Sequence, residues 1–305
     1  MSKIFRFIIR PKHLLALLLL SITWGSSFYL MKHAMKPDGV HSAFRSDQVA
    51  ALRLSIAALA LLPFSIQGLR RMKISNLKWI ALVGLIGSGI PAFLFTASQQ
   101  YLDSSVAGIL NSLTPLFTLL VGVVLFKRVT EPRQAVGVLI GLGGAAALIS
   151  LKGFGASSQW SYGLLIAIAT FSYGLSVNVV QSKLKEVKSL HITAISLLIA
   201  GIPCGIYAIY SGVPEVISQN QHGVKGLMYV GTLALLGTAM ANMLYFWLTK
   251  ETSALFASSV TYLMPLVAVA WGLGDGEVLG ILHLMCGLII ISGVWLVSYK
   301  KKSTA

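Results

Sequence analysis

Residues 108–125 read GILNSLTPLFTLLVGVVL, an apolar run with Pro115 near its middle, and residues 258–274 read SSVTYLMPLVAVAWGLG with Pro265 in the same place. Proline removes a backbone donor and crowds the carbonyl four residues before it, so a helix carrying one in its interior bends. Helices in lipid tolerate such a break, because neighbouring elements can satisfy the freed groups. A segment of this kind written twice asks whether the chain is built twice, and whether it is built in a membrane.

Composition answers the second question. Hydrophobic residues make up 56% of the 305 and charged ones 11%, with a mean hydropathy of +0.80, far from the roughly one-quarter charged content of soluble domains. A membrane protein follows, with the lipid bilayer as its first partner. The formal charge of +15 does not indicate nucleic acid, since a phosphate-binding footprint gathers Lys and Arg on one folded face and here they are scattered between apolar runs. Cys204 and Cys286 both lie inside apolar segments, so no disulfide framework is expected.

A helix crossing about 30 Å of hydrocarbon needs about 20 mostly apolar residues. Ten such runs are predicted: 13–33, 48–67, 79–99, 104–126, 133–151, 160–181, 190–210, 224–248, 253–273 and 278–299. The first could be read as a cleaved signal peptide, but the apolar run continues through WGSSFYLM with no small-residue cleavage site, and it is taken as a retained span. With the N-terminus in the cytoplasm, most of the 24 Lys and Arg fall inside, among them Lys3, Arg6, Arg10, Lys12, Arg70, Arg71, Lys127, Arg128, Lys183, Lys188, Lys250 and Lys300 to Lys302. Only Lys32, Lys36, Arg45, Lys152 and Lys225 fall outside, and Arg53 lies within a span. By the positive-inside rule both termini are cytoplasmic, and the setting is the plasma membrane, the inner membrane of the cell.

The first question is answered by register. At a shift of 150, Gly87 falls on Gly237, Pro115 on Pro265, Gly122 on Gly272, Gly137 on Gly287 and Gly143 on Gly293. At 149, WGSSF from Trp24 falls on YGLSV from Tyr173, aligning Gly25 with Gly174. Each half then holds five spans, and an odd number inverts the second copy. The turn after the proline-containing span agrees: FKRVTEPR in half one, GLGDGEV in half two, so that Lys127 and Arg128 give way to Asp275 and Glu277. The fold class expected is an all-α polytopic membrane protein of ten transmembrane helices, in two inverted five-helix repeats at 13–151 and 160–299. Two such bundles can rock about a central site, exposing it to each side in turn. Pro115 and Pro265 are the candidate hinges, with a static kink as the alternative.

The ten-span pattern, ITWGSSF near the start, Arg53 in RLSIAALALLPF, ASQQYLDSSVAGILNSLTPLFTLLVGVVL and its echo ALFASSVTYLMPLVAVAWGLGDGE together resemble the EamA-like transporters of the drug/metabolite transporter superfamily. The resemblance covers nearly the whole chain. It implies a transporter, with export of amino acids or related metabolites among the family's activities. Such repeats usually carry an acidic residue after the fourth and ninth spans; Glu277 supplies one, whereas Lys127 stands in half one.

Polar side chains within a membrane need a partner or a task. Arg53 is the one full charge well inside a span, either anchored structurally or meeting an anionic group on a substrate. Asn111, Asn178 and Asn242 sit in separate spans with Gln99, Ser112, Thr114 and Thr261 near them in depth. They serve either as helix-to-helix hydrogen bonds or as the lining of a cavity where the repeats meet. Trp24 and Tyr173, as repeat partners, are the preferred cavity walls, joined by Tyr245 and Tyr262; packing is their alternative role. The substrate-binding candidates are thus Trp24, Arg53, Asn111, Tyr173, Asn178, Asn242, Tyr245 and Tyr262. Aromatic faces with a few amides favour a small amphipathic organic solute.

All nine acidic residues fall in turns or at span ends, so no carboxylate relay for protons is expected at mid-depth. No catalytic constellation, cofactor or metal site is expected: His283 and Cys286, three apart on one helix, offer two ligands, which do not make a site. A passive pore is the alternative to a carrier. It would need a persistent hydrophilic lumen, and the few intramembrane polar residues are thin for that. The Gly137/Gly141 and Gly201/Gly205 steps mark close helix packing, within a monomer or across a homodimer.

Overall fold

The computed structural model describes residues 10–128, 132–150, 160–277 and 280–298. Lys3, Arg6, Lys152 and Lys300 to Lys302, on which the predicted orientation partly rests, lie outside the described residues, as do residues 151, 278, 279 and 299 of the predicted spans. Among the described residues every regular element is helical. They run as α1 Pro11–Met35, α2 Ser46–Ala60, α3 Leu62–Arg71, α4 Ile74–Ser98, α5 Ser104–Val124, α6 Pro132–Ser150, α7 Trp160–Lys183, α8 Ser189–Tyr210, α9 Val213–Gln219, α10 Gly223–Glu251, α11 Ala254–Gly274 and α12 Ile281–Ser298. Seven are long and apolar enough to cross a membrane, and eight if α2 and α3 form one span bent by 64°.

The surface is inverted relative to a water-soluble protein. Leu18, Leu139, Ile209 and Leu288 are exposed, while Ser105, Asn178 and Thr193 are wholly buried. Buried hydroxyls mostly turn back onto their own helix, as Thr96 Oγ1 does to the Ala92 carbonyl at 2.8 Å and Thr249 Oγ1 to that of Tyr245 at 2.8 Å, a self-satisfaction that lipid demands.

The predicted span 48–67 is not straight. Pro63 cannot continue the hydrogen-bond ladder, Leu61 takes φ −97° and ψ 6°, and the chain turns there into α3. A second feature that the apolar pattern does not show is a π-turn within each of α4 and α10, at Leu85–Gly89 and Leu233–Met240. Such turns are rare and concentrate at functional sites, because they re-aim side chains and release carbonyls from the ladder.

Pro115 and Pro265 do break their helices. Each stands in the first turn of the second segment of its span, after 3₁₀-type bonds from Leu113 N to Leu110 O at 3.1 Å and from Leu263 N to Val260 O at 3.2 Å. The carbonyls that the prolines cannot serve, those of Asn111 and Thr261, accept hydroxyls instead: Thr114 Oγ1 at 2.8 Å and Ser112 Oγ at 3.0 Å.

Internal correspondence is visible in the contacts. Gly25 of α1 packs on α11, where a Cβ would lie 2.5 Å from that of Val267; Gly174 of α7 packs on α5, where it would lie 2.8 Å from the Phe117 carbonyl carbon. Trp24 meets Tyr245 of α10 edge-on at 4.9 Å, and Tyr173 stacks on Phe95 of α4 at 5.9 Å. Ser27 lies against Gly237 and Ser176 against Gly87. At shifts of 149 or 150 each contact is the repeat partner of the other. The first helix of each half is lodged in the opposite half.

The described turns gather at two ends separated by α1, about 37 Å long for its 25 residues. At one end Lys12 pairs with Glu251 at 2.9 Å, and Lys250 Nζ donates to the Val187 carbonyl. At the other, Lys32 pairs with Glu277 at 3.1 Å and Asp275 at 3.3 Å, and Gln48 Nε2 donates to the Ser211 carbonyl at 2.8 Å.

The turns after α5 and α11 correct the alignment of the acidic position. Gly276 has φ +77° and Lys127 φ +51°. The following residue bonds back to the equivalent glycine in each half, Glu277 N to Gly272 O at 2.8 Å and Arg128 N to Gly122 O at 3.0 Å. The counterpart of Glu277 is therefore Arg128, not Lys127, the half-one turn holding one extra residue. Glu277 caps α5: Oε1 accepts from Ser104 N at 2.9 Å, and Oε2 from Ser105 N at 3.2 Å and Ser105 Oγ at 2.6 Å. A cation cannot do this at a helix N-terminus, where the dipole is positive. In half two the equivalent helix, α11, is capped instead by its own Ser253, whose Oγ accepts from Phe256 N at 3.0 Å.

Burial of Glu277, 4% exposed at its side chain, pushes its carboxyl up, but the bonds from Ser105 and Ser104 and the Lys32 contact outweigh this and hold it below the ordinary range. A depressed carboxyl contributes stability that is present above its unfolded value, about 4.3, and is lost as pH falls through the folded one. Glu277→Gln is expected to cost about 1–3 kcal/mol at neutral pH. It should also flatten the fall of the unfolding temperature below about pH 4.3; an acid limb as steep as wild type's would assign that fall to other groups.

Candidate functional site

A partly open cavity lies between the halves. It draws on α1, α2, α4, α5, α7, α10 and α11, and the elements set out above aim its residues. The rings of Trp24, Tyr173, Phe95 and Tyr245 form its walls. Trp24 is held by its indole, Nε1 donating to the Gly237 carbonyl at 2.9 Å, within the π-turn of α10.

The two π-turns present hydroxyls at repeat-equivalent positions, Ser88 and Thr238. Asn242 Nδ2 donates to Ser88 Oγ at 3.3 Å. Arg53 Nε donates to Thr238 Oγ1 at 2.6 Å, and Arg53 Nη1 lies 3.8 Å from Met31 Sδ. The guanidinium is buried, the residue being 9% exposed, and among the described residues no carboxylate pairs with it. Asn111 Nδ2 points to Met264 Sδ at 3.4 Å. Such a chamber can hold an apolar body against rings while a fixed cation and a few amides and hydroxyls orient its polar end.

Of the eight candidates drawn from sequence, Trp24, Arg53, Asn111, Tyr173, Asn242 and Tyr245 line this one cavity, together with Thr114 and Thr261. Asn178 does not. Its Nδ2 donates to the carbonyls of Thr118 at 2.8 Å and Gly174 at 2.7 Å, tying α7 to α5. Tyr262 stands half-buried, one residue beyond the lining Thr261, and Gln99 is buried away from the lining. Pro115 and Pro265 are not in the lining themselves; they start the helix segments beside Thr114 and Met264, which are.

Sequence reasoning missed Ser27, Phe28, Met31, Ser88, Phe95, Ser176, Thr238 and Met264. For Ser27 and Ser176 the signal lay in the aligned WGSSF and YGLSV, three residues beyond the chosen aromatics. For Ser88 and Thr238 it lay one residue beyond the paired Gly87 and Gly237.

Comparison with known proteins bears on the family and the fold. The uncharacterized inner membrane transporter YedA of Escherichia coli (strain K12) is 30% identical over 295 residues, covering 94% of this chain and 90% of its own. A protein of Streptantibioticus cattleyicolor named as a probable terminal-alkyne amino-acid exporter is 25% identical over 299 residues, covering 93% and 92%. A solved crystal structure of a protein matches 95% of this chain and 98% of its own with TM-score 0.63 at 15% identity, which bears on the fold alone. The EamA-like transporter family matches residues 11–150 and again 160–299. Two family units in tandem, helices made for lipid and relatives named as inner membrane transporters lead to one conclusion: this chain is a multi-pass membrane transporter of the EamA-like transporter family.

Proposed function

We propose that the protein is an alternating-access carrier for a small amphipathic organic anion or zwitterion of the amino-acid type, working outward from the cytoplasm. The observation that carries this reading is the buried guanidinium of Arg53, which faces the cavity with a hydroxyl and a thioether for neighbours and, among the described residues, no carboxylate. A charge held in low dielectric without a counter-ion is costly. A substrate carboxylate would complete the site through the planar fork of Arg53, with its side chain against Trp24, Tyr173 and Tyr245. The name of the Streptantibioticus relative points to the same class of cargo.

The architecture supporting it is ten spans in two inverted halves, α6 and α12 being the fifth of each. These two helices pack backbone to backbone, a Cβ on Gly293 falling 2.5 Å from Gly141 N and 2.6 Å from Gly137 O. That contact uses the Gly137/Gly141 face within one chain and favours a monomer. By the positive-inside rule the end holding Lys12, Arg71, Lys183, Lys188 and Lys250 is read as the cytoplasmic one, in keeping with both termini inside and with an inner-membrane setting like that named for the relatives.

Proteoliposomes test the reading. Flux of a labelled amino acid should be accelerated by unlabelled solute on the far side. Since no Asp, Glu or His lines the cavity among the described residues, an imposed pH gradient should not drive it. Asn242→Leu and Trp24→Ala should each lower the flux by roughly tenfold or more, the scale of a lost hydrogen bond or aromatic contact of about 1.4 kcal/mol. Flux without trans-acceleration would instead mean a pore.

A further inference from the structure

Away from the cavity, at the end holding the C-terminus of α1, ligating side chains from two separate segments converge. Asp38 and His41 lie between α1 and α2, and His222 lies between α9 and α10. Asp38 Oδ2 is 2.7 Å from His41 Nδ1 and 3.7 Å from His222 Nε2, and the three donor atoms fall within 4.8 Å of one another. The two imidazoles stack 5.3 Å apart with 8° between their planes. We propose that Asp38, His41 and His222 form a binding site for a divalent transition-metal ion, Zn²⁺ or a close relative, clasping a segment of the first half to one of the second.

The ligand chemistry selects the ion. Two imidazoles and a carboxylate suit borderline metals such as Zn²⁺, Co²⁺ and Ni²⁺, whereas Ca²⁺ and Mg²⁺ want oxygen donors throughout. Three protein ligands with the fourth position left to water is a common arrangement for zinc. Metal-to-ligand bonds of about 2.0–2.1 Å around a tetrahedral ion put donors roughly 3.4 Å apart, and the two separations from Asp38 Oδ2 bracket that value. The amide of Gln221, with Nε2 3.0 Å from His222 Nε2, is the group an ion would displace.

The surrounding contacts hold the ligands in place, as outer partners do in metal sites. Asp38 Oδ1 accepts from Val40 N at 3.0 Å and from His41 N at 2.7 Å, fixing the carboxylate. Asn220 Oδ1 accepts from His222 N at 2.8 Å, and Asn220 Nδ2 donates across to the Ser42 carbonyl at 3.0 Å. The two segments are thus registered without any ion. Asp38 and His41 stand at the surface, so an ion has a way in.

Cobalt gives a readout independent of transport. Full-length protein in nanodiscs, freed of any affinity tag, would be titrated with Co²⁺ while visible absorption is followed. The expected result is a saturable band at one ion per chain, bleached by Zn²⁺, with a raised unfolding temperature. His41→Ala and His222→Ala should each weaken binding by at least about tenfold. Asp38→Asn, which keeps the Oδ1 contacts, should weaken it as well. Absence of a saturable band in wild type, or an unchanged titration in the variant lacking both histidines, would overturn the proposal. These surface variants are checked by their unfolding temperature without metal.

Discussion

Arg53→Met is expected to give a protein that unfolds at the same or a higher temperature than wild type and no longer answers to its solute. The side chain is buried, its Nε donates to Thr238 Oγ1 at 2.6 Å, and among the described residues no counter-ion offsets the desolvated charge. Methionine fills similar space without that cost, and apolar replacement of buried charged groups is often neutral or stabilising by about 1–4 kcal/mol. Binding moves the other way. Hydrogen bonds to a charged group contribute about 1.5–3 kcal/mol, so removing them should weaken a carboxylate-bearing solute by roughly 10- to 150-fold. Arg53→Lys should keep part of the charge effect and lose the fork. Thermal unfolding of purified protein with and without amino acids reads both consequences. A methionine variant that melts early yet retains the ligand-induced rise would make Arg53 a structural anchor and remove the main support for the proposed cargo.

The second large effect comes from two glycines that are repeat partners in sequence and opposites in structure. Gly293→Ala places a methyl 2.5 Å from Gly141 N and 2.9 Å from Gly141 Cα, against backbone that cannot turn aside. Overpacking of this sort costs about 1–3 kcal/mol, and the α6 to α12 contact should loosen as a unit. Gly143→Ala meets nothing within 4 Å, and alanine's better helix propensity should leave the protein unchanged or up to about 1 kcal/mol more stable. Unfolding followed by tryptophan fluorescence distinguishes them. Equal effects at both positions would mean that the two helices do not meet as described.

The parts of this fold that could be read in advance are those where the rule is local. Proline has no N–H and glycine no Cβ, so Pro115 with Pro265 and Gly25 with Gly174 announced a break and a close approach wherever the helices happened to lie. Trp24 and Tyr173 could be paired by register alone, and both line the cavity. Direction was not readable. In a membrane helix the face toward lipid and the face toward protein are both apolar, so no amphipathic stripe says where an asparagine points. Asn178 and Asn242 look alike in sequence, yet one ties two backbones together and the other faces the chamber. The bend at Leu61 and the π-turns are tertiary outcomes, and the extra residue before Arg128 could be seen only by its hydrogen bond to Gly122.

The exchange of first helices between the halves has a consequence for how the molecule is made. The α1 helix leaves the ribosome before the other helices described, but the carbonyl that receives the Trp24 indole is 213 residues further along, and the surface that accepts Gly25 is later still. Synthesis of the first family unit therefore yields no finished bundle. This helix waits in the bilayer, its indole N–H with an interim partner, until the second unit arrives to enclose it.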